Sequence, residues 1–170
     1  MYGNIALDLD GVVTDIAAGL GTDNVDLIFN ALFTQNHTPE LDHLFANPLF
    51  WRNLMPIKDA WHAVNQWFYG GFHIMFVTAR RSDASINEIN SWLDGWNIPY
   101  SKVFVCNQME KIDVLREIEP VLFVDDNPFE IKKITENLDN GCRAIVAKTW
   151  YNQHLIEGLE STSSLLDIGA

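Results

Sequence analysis

Short, almost unbroken apolar runs recur along the chain: IALDL (5–9), HIMFVT (73–78), KVFVC (102–106), VLFVD (121–125) and RAIVA (143–147). A strand with one wet face alternates apolar and polar residues. A run without alternation is how a parallel strand buried on both faces reads. Between the runs lie stretches of helical period. In DASINEINSWLDGW, Ile86, Ile89, Leu93 and Trp96 recur every three or four residues behind a cap candidate at Ser82 or Asp83. MEKIDVLREIEP ends on a proline, and NPFEIKKITENLDNG opens with a cap and first-turn proline, Asn127-Pro128, and closes on Gly141. Strands alternating with helices predict an α/β fold built on a doubly wound parallel sheet.

One interval breaks the rhythm. Residues 15–72 are far more than a single crossover helix needs. DNVDLIFNALFTQ (23–35) reads as an amphipathic helix with Val25, Ile28, Phe29, Leu32 and Phe33 on one side, and a short helix follows in PELDHLFAN. The crossover helix itself is expected in KDAWHAVNQWFYGG (58–71), ended by glycines. The expected organisation is therefore an α/β core from 1–14 and 57–170, with 15–56 as an inserted helical unit. That unit leaves the sheet beside Asp8 and Asp10 and should cover them. The last stretch, STSSLLDIGA, is expected to fray.

A length of 170 residues suits one domain with such an insertion. The net charge of −12 argues against a nucleic-acid duplex as partner, because that binding rests on Lys and Arg meeting phosphates. It does not exclude a small phosphate ligand, since a bound divalent ion and one or two cations reverse the local field. Cys106 and Cys142 are far apart, in no CxxC pattern, and read as buried free thiols. The N-terminus has no basic region and reaches Asp8 early, unlike a signal peptide, and no apolar run approaches a membrane span. A cytoplasmic protein is expected, with a homodimer as one possible assembly.

Ligands of open parallel sheets bind outside the carboxyl ends of the strands. There the sequence places Asp8, Asp10 and Gly11 after the first run, Thr78 after the second, and Asp125 and Asp126 after the fourth, with Lys111 at the start of the helix leading into that fourth run. Each has an ordinary reading when taken alone. The Asp pair before Asn-Pro suits a helix N-terminus, Thr78 a cap, and Lys111 a solvated surface. None of these explains why buried runs twice end in doubled carboxylates that the topology brings together. Like charges this close call for a cation, and oxygen-only donors favour Mg²⁺.

The motifs DLDGVVTD, FVTAR, Lys111 and FVDDNP resemble, in order and spacing, those of the haloacid dehalogenase-like phosphatase superfamily. Within it the chain is most similar to the 5′(3′)-deoxyribonucleotidases, through FWRNLMPIKDAWHAV (50–64) and TWYNQHL (149–155). The resemblance implies a phosphatase with Asp8 as nucleophile, Asp10 as acid and base, and Thr78, Ala79, Arg80 and Lys111 around the phosphate. It implies Mg²⁺ held by Asp8, the Asp10 carbonyl and Asp126, with Asp125 indirect or exchanging roles with Asp126. It also implies that the insertion is a cap over the site. The expected substrate is a small phosphomonoester, first of all a nucleoside or deoxynucleoside monophosphate.

Aromatic residues of the insertion are candidates for stacking on a base. Phe29 and Phe33 sit at helical spacing that equally suits a core, and Phe50 and Trp51 are adjacent, so one of them is open to facing the pocket. The chain departs from the family in having Ala79-Arg80 where Ser-Pro is usual, and Lys58-Asp59 where Pro-Gly is usual. These changes leave the substrate open. Another small metabolite, or a nucleic-acid 3′-phosphate end, is the alternative within the class. A non-catalytic Mg²⁺-binding receiver is the alternative outside it, disfavoured by Asp10, which a receiver does not need. Asp15 carries no expected catalytic role and marks the start of the insertion.

Overall fold

The computed structural model describes residues 2–34, 38–80, 86–106 and 110–169. Its sheet is built from β1 (Asn4–Leu7), β2 (His73–Thr78), β3 (Lys102–Val105), β4 (Pro120–Asp125), β5 (Arg143–Ala147) and β6 (Ser161–Thr162). All neighbouring pairs are parallel, in the order β3-β2-β1-β4-β5-β6. The expected doubly wound sheet is therefore present.

Successive strand residues enter opposite cores. Ile5, Leu7, Ile74, Phe76, Leu122, Val124 and Ile145 join one apolar cluster, packed under α5 (Lys58–Tyr69) and α6 (Ile86–Gly95). Ala6, Val77, Phe123 and Val146 join the other, under α7 (Lys111–Ile118) and α8 (Pro128–Asn137). A period of two with both faces covered leaves no polar position, which accounts for the unbroken apolar runs.

Between β1 and α5 the chain forms four short helices: α1 (Ile16–Leu20), α2 (Val25–Phe33), α3 (Pro39–Phe45) and α4 (Pro48–Arg52). Helices α2 and α3 fall where helical spacing predicted them. Helices α1 and α4 were not expected, because five residues are too few to show a period. These helices pack around their own apolar cluster of Ile16, Ala31, Leu41, Phe45, Phe50, Trp51 and Leu54. Asp15 caps α1 by accepting from the Ala18 N–H.

The outgoing and returning connectors of this segment are tied together. Thr14 bridges Pro56 in antiparallel fashion, Asp15 N donates to Met55 O at 2.8 Å, and Ile57 N donates to Val13 O at 2.8 Å.

The C-terminal stretch does not fray as expected. Ser161–Thr162 adds β6 to the sheet edge, and Leu165 and Ile168 are buried against the larger cluster. A two-residue strand is invisible to periodicity. The helix cap expected at Ser82 or Asp83 lies outside the described residues. Cys106 and Cys142 are free and half-buried.

Candidate active site

Asp8 continues the line of β1, its N–H donating to Val124 O at 2.8 Å. The strand proper ends at Leu7, so Asp8 and Asp10 lie in the turn beyond it rather than side by side on the strand. Gly11 makes that turn. It has φ of 79°, and a Cβ there would fall 2.0 Å from Asp126 Oδ2 and 2.5 Å from Tyr151 Oη. Glycine is required by both conformation and space.

Asp125 ends β4 and Asp126 follows it, just before Asn127 caps α8 through the N–H groups of Phe129 and Glu130. Lys111, the first residue of α7, reaches back to the same point. Its Nζ donates to Asp125 Oδ2 at 2.7 Å and lies 2.9 Å from Asp8 Oδ1. Asp125 Oδ1 accepts from Asn127 N at 2.8 Å, so both Asp125 oxygens are engaged by the protein.

Asp126 Oδ2 accepts from Tyr151 Oη at 2.6 Å, and the Asp126 carbonyl accepts from Asn152 Nδ2 at 2.7 Å. Asn152 Nδ2 also donates to Ala147 O, and its Oδ1 accepts from Thr149 N. Tyr151 and Asn152 were assigned no role from sequence. Their only signal was the TWYNQHL resemblance.

The electrostatics of this cluster are unbalanced. Burial is the largest influence on Asp8 and, with Asp125 and Asp10 adding repulsion, pushes its carboxyl up to about 7 although Lys111 pulls it down. Burial raises Asp126 well above the usual range, helped by Asp125 and Asp8 and opposed by Tyr151 and Lys111. Burial alone would lower Lys111, but its two carboxylate partners outweigh that and raise it. One oxygen each of Asp8, Asp125 and Asp126 lie within 4.8 Å of one another, an arrangement able to hold a metal ion. Asp8 Oδ1, buried and close to Lys111, has no well-aligned hydrogen-bond donor among the described residues. The donor set fits a hard divalent cation, which would supply the missing positive charge.

Thr78 ends β2 and is almost fully buried, its Oγ1 accepting from Arg80 N at 3.1 Å. Ala79 is exposed. Arg80, expected near the phosphate, reaches Asp10. Its guanidinium is buried and paired with Asp10.

The structure separates the aromatic candidates into two groups. Phe50 and Trp51 both face the insertion's own core, with Trp51 Nε1 donating to Phe45 O at 2.8 Å. The two rings bury together by packing on each other and both on Phe45. Phe29 and Phe33 are half-buried and reach toward the sheet. Phe29 meets Phe129 edge-on with centroids 6.4 Å apart, and Phe33 lies 6.1 Å from Tyr151. Phe129 and Trp150, 54% and 45% exposed, extend this aromatic surface from the core side.

Among solved structures, the chain is similar to a D,D-heptose 1,7-bisphosphate phosphatase from B. bronchiseptica complexed with magnesium and phosphate. The TM-score is 0.58 at 13% identity, covering 97% of this chain and 94% of that one. It is similar to a HAD-superfamily hydrolase from Ehrlichia chaffeensis, with a TM-score of 0.56 at 13% identity over 96% and 92% of the two chains. A structure described as a dehalogenase gives 0.60 at 10% identity over 96% and 94%. At these identities the likeness is one of fold. No curated protein matches the chain in sequence. Among the described residues no helix is long and apolar enough to cross a membrane.

The fold is shared with a haloacid dehalogenase-superfamily hydrolase, and a family match makes the chain a phosphatase. The family is more specific: residues 4–147 match the family model described as 5′-nucleotidase, and the chain belongs to that family.

Proposed function

We propose that the chain is a Mg²⁺-dependent phosphatase of nucleoside 5′-monophosphates, working through a phosphorylated Asp8, with residues 15–56 as the cap over its site. The observation that carries this is the buried convergence of Asp8, Asp125 and Asp126 around Lys111. Asp8, the Asp10 carbonyl and Asp126 would hold the ion. Asp125 has both oxygens committed to Lys111 and Asn127, whereas among the described residues only Oδ2 of the Asp126 carboxylate is engaged. When bound, Mg²⁺ supplies the positive charge that lets a carboxylate approach a phosphate.

Asp8 then attacks phosphorus, and the bond to the leaving oxygen breaks as Asp10 gives that oxygen a proton. In the second step Asp10 takes a proton from water, which attacks the phosphoryl group, frees inorganic phosphate and regenerates Asp8. Thr78 and Lys111 orient the phosphoryl oxygens, and Lys111 offsets charge that grows on them in the transition state. Phe29, Phe33 and Phe129 form an apolar aromatic cluster on which a base could stack against one exposed ring face.

Stacking contributes roughly 1–3 kcal/mol per base, so nucleoside monophosphates are expected to exceed sugar phosphates in kcat/KM by about tenfold or more. A panel with and without the 2′-hydroxyl reads both base and sugar preference. If no nucleotide outperforms simple sugar phosphates, the nucleotidase reading falls while the phosphatase remains.

Ion binding has its own readout. Mg²⁺ at about a hundred times its Kd stabilises the folded state by roughly 2.7 kcal/mol. A thermal melt should show this shift in the wild type and lose it in Asp126→Asn. A shift that survives in Asp126→Asn but disappears in Asp125→Asn would reverse the two roles.

A further inference from the structure

We propose that Arg80 is a positioning residue for Asp10, and that Trp51 makes its grip depend on how the helical insertion seats against the sheet. The inference rests on the reading of Asp10 as the group that moves the proton. The guanidinium meets the carboxylate at two points, Nε donating to Oδ2 at 2.9 Å and Nη2 to Oδ1 at 2.5 Å. A forked pairing fixes orientation as well as distance, which a lysine's point charge does not. Thr14, in the outgoing connector, adds a third donor, its Oγ1 lying 2.7 Å from Asp10 Oδ1. Asp10 is thereby held apart from the carboxylates that converge on the metal position.

Arg80 is itself held from both sides of the molecule. Its N–H is fixed by Thr78 at the end of β2. Its guanidinium lies 4.5 Å from the centroid of Trp51, within cation–π range. Trp51 is anchored in the insertion by its indole N–H on Phe45 O and by ring contacts with Phe45 and Phe50. The Arg80 side chain is 2% exposed, so water competes little for either contact. A continuous path therefore runs from the insertion's core, through Trp51 and Arg80, to the Asp10 carboxylate. Displacing α4 would remove one wall of the guanidinium's site and free the carboxylate it orients.

The leaving group separates this role from phosphate binding. An alkyl phosphate needs a proton from Asp10 as its ester bond breaks, and 2,4-dinitrophenyl phosphate does not. In Arg80→Ala and Arg80→Lys, kcat on the alkyl ester the wild type turns over best should fall by about 10²-fold. On the dinitrophenyl ester the first-turnover burst of dinitrophenolate should slow by less than about tenfold, while steady-state turnover falls because Asp10 must still take a proton from the attacking water. Trp51→Phe should show a smaller loss with the same bias, and should add little in an Arg80→Ala background.

A dinitrophenolate burst slowed as much as alkyl-ester turnover, with a raised KM on both, would place Arg80 at the substrate phosphate and overturn the inference. A Trp51→Phe loss without leaving-group bias would remove the link to the insertion. Should Arg80→Ala fail to fold, Arg80→Lys and Trp51→Phe still carry the test. Asp10→Asn distinguishes the layers. An active Asp10→Asn overturns the proton-transfer reading itself, whereas an inactive one beside unimpaired Arg80 variants overturns only the positioning role.

Discussion

Asp8→Asn will abolish phosphate release without weakening the fold. The amide keeps the shape of the carboxylate but cannot attack phosphorus, and loss of a covalent nucleophile lowers turnover by on the order of 10⁴-fold or more. Stability should move the other way, or not at all. In the metal-free protein burial and the neighbours Asp125 and Asp10 disfavour a charge at Asp8, so removing it relieves repulsion. The expected pair of results is a dead enzyme in a Mg²⁺-dependent aryl-phosphate assay and a melting temperature at or above that of the wild type without metal. Residual activity near the wild-type level would overturn the nucleophile assignment. A lowered melting temperature would show that the Lys111 contact outweighs the repulsion.

Lys111→Met should do both kinds of damage. One ammonium serves Asp125 and Asp8 together, and all three side chains are buried. Removing the cation leaves their carboxylates without a protein counter-charge, which costs about 3–5 kcal/mol when a buried pair is broken on one side. For a chain of 170 residues that corresponds to a drop in melting temperature on the order of 10 °C. Mg²⁺ should restore part of this stability, because it brings a second positive charge to the same carboxylates. Turnover should remain strongly impaired, since the ion does not replace the donor that orients the phosphoryl oxygens. A melting temperature unchanged without metal would show that the carboxylates do not need Lys111.

The strand ends were legible because the chemistry of the site is written where apolar runs stop. Asp8, Thr78, Asp125 and Asp126 each sit at such a stop, and the parallel topology alone brings them to one edge. The pairing of Arg80 with Asp10 was not legible, since the partners are 70 positions apart and neither lies on a periodic pattern. The same holds for Tyr151 with Asp126. The placement of the aromatic candidates was hidden for a different reason. Phe29 and Phe33 have helical spacing and Phe50 and Trp51 are adjacent, but which face meets the sheet depends on how short helices are rotated. That rotation is set by neighbours such as Phe45 and Phe129, not by the residues themselves.

The strand order also sets a timetable for making the molecule. β1 emerges first from the ribosome yet lies between β2 and β4, so one of its edges waits for residues 120–124. At about 5–20 residues per second that wait lasts on the order of ten seconds. During it the nascent chain carries Asp8 and Asp10 but neither Asp125 nor Asp126. A divalent ion at this site would therefore have nothing to gather until the second half arrives, and would clasp β1 and β4 once both are made rather than seed their pairing.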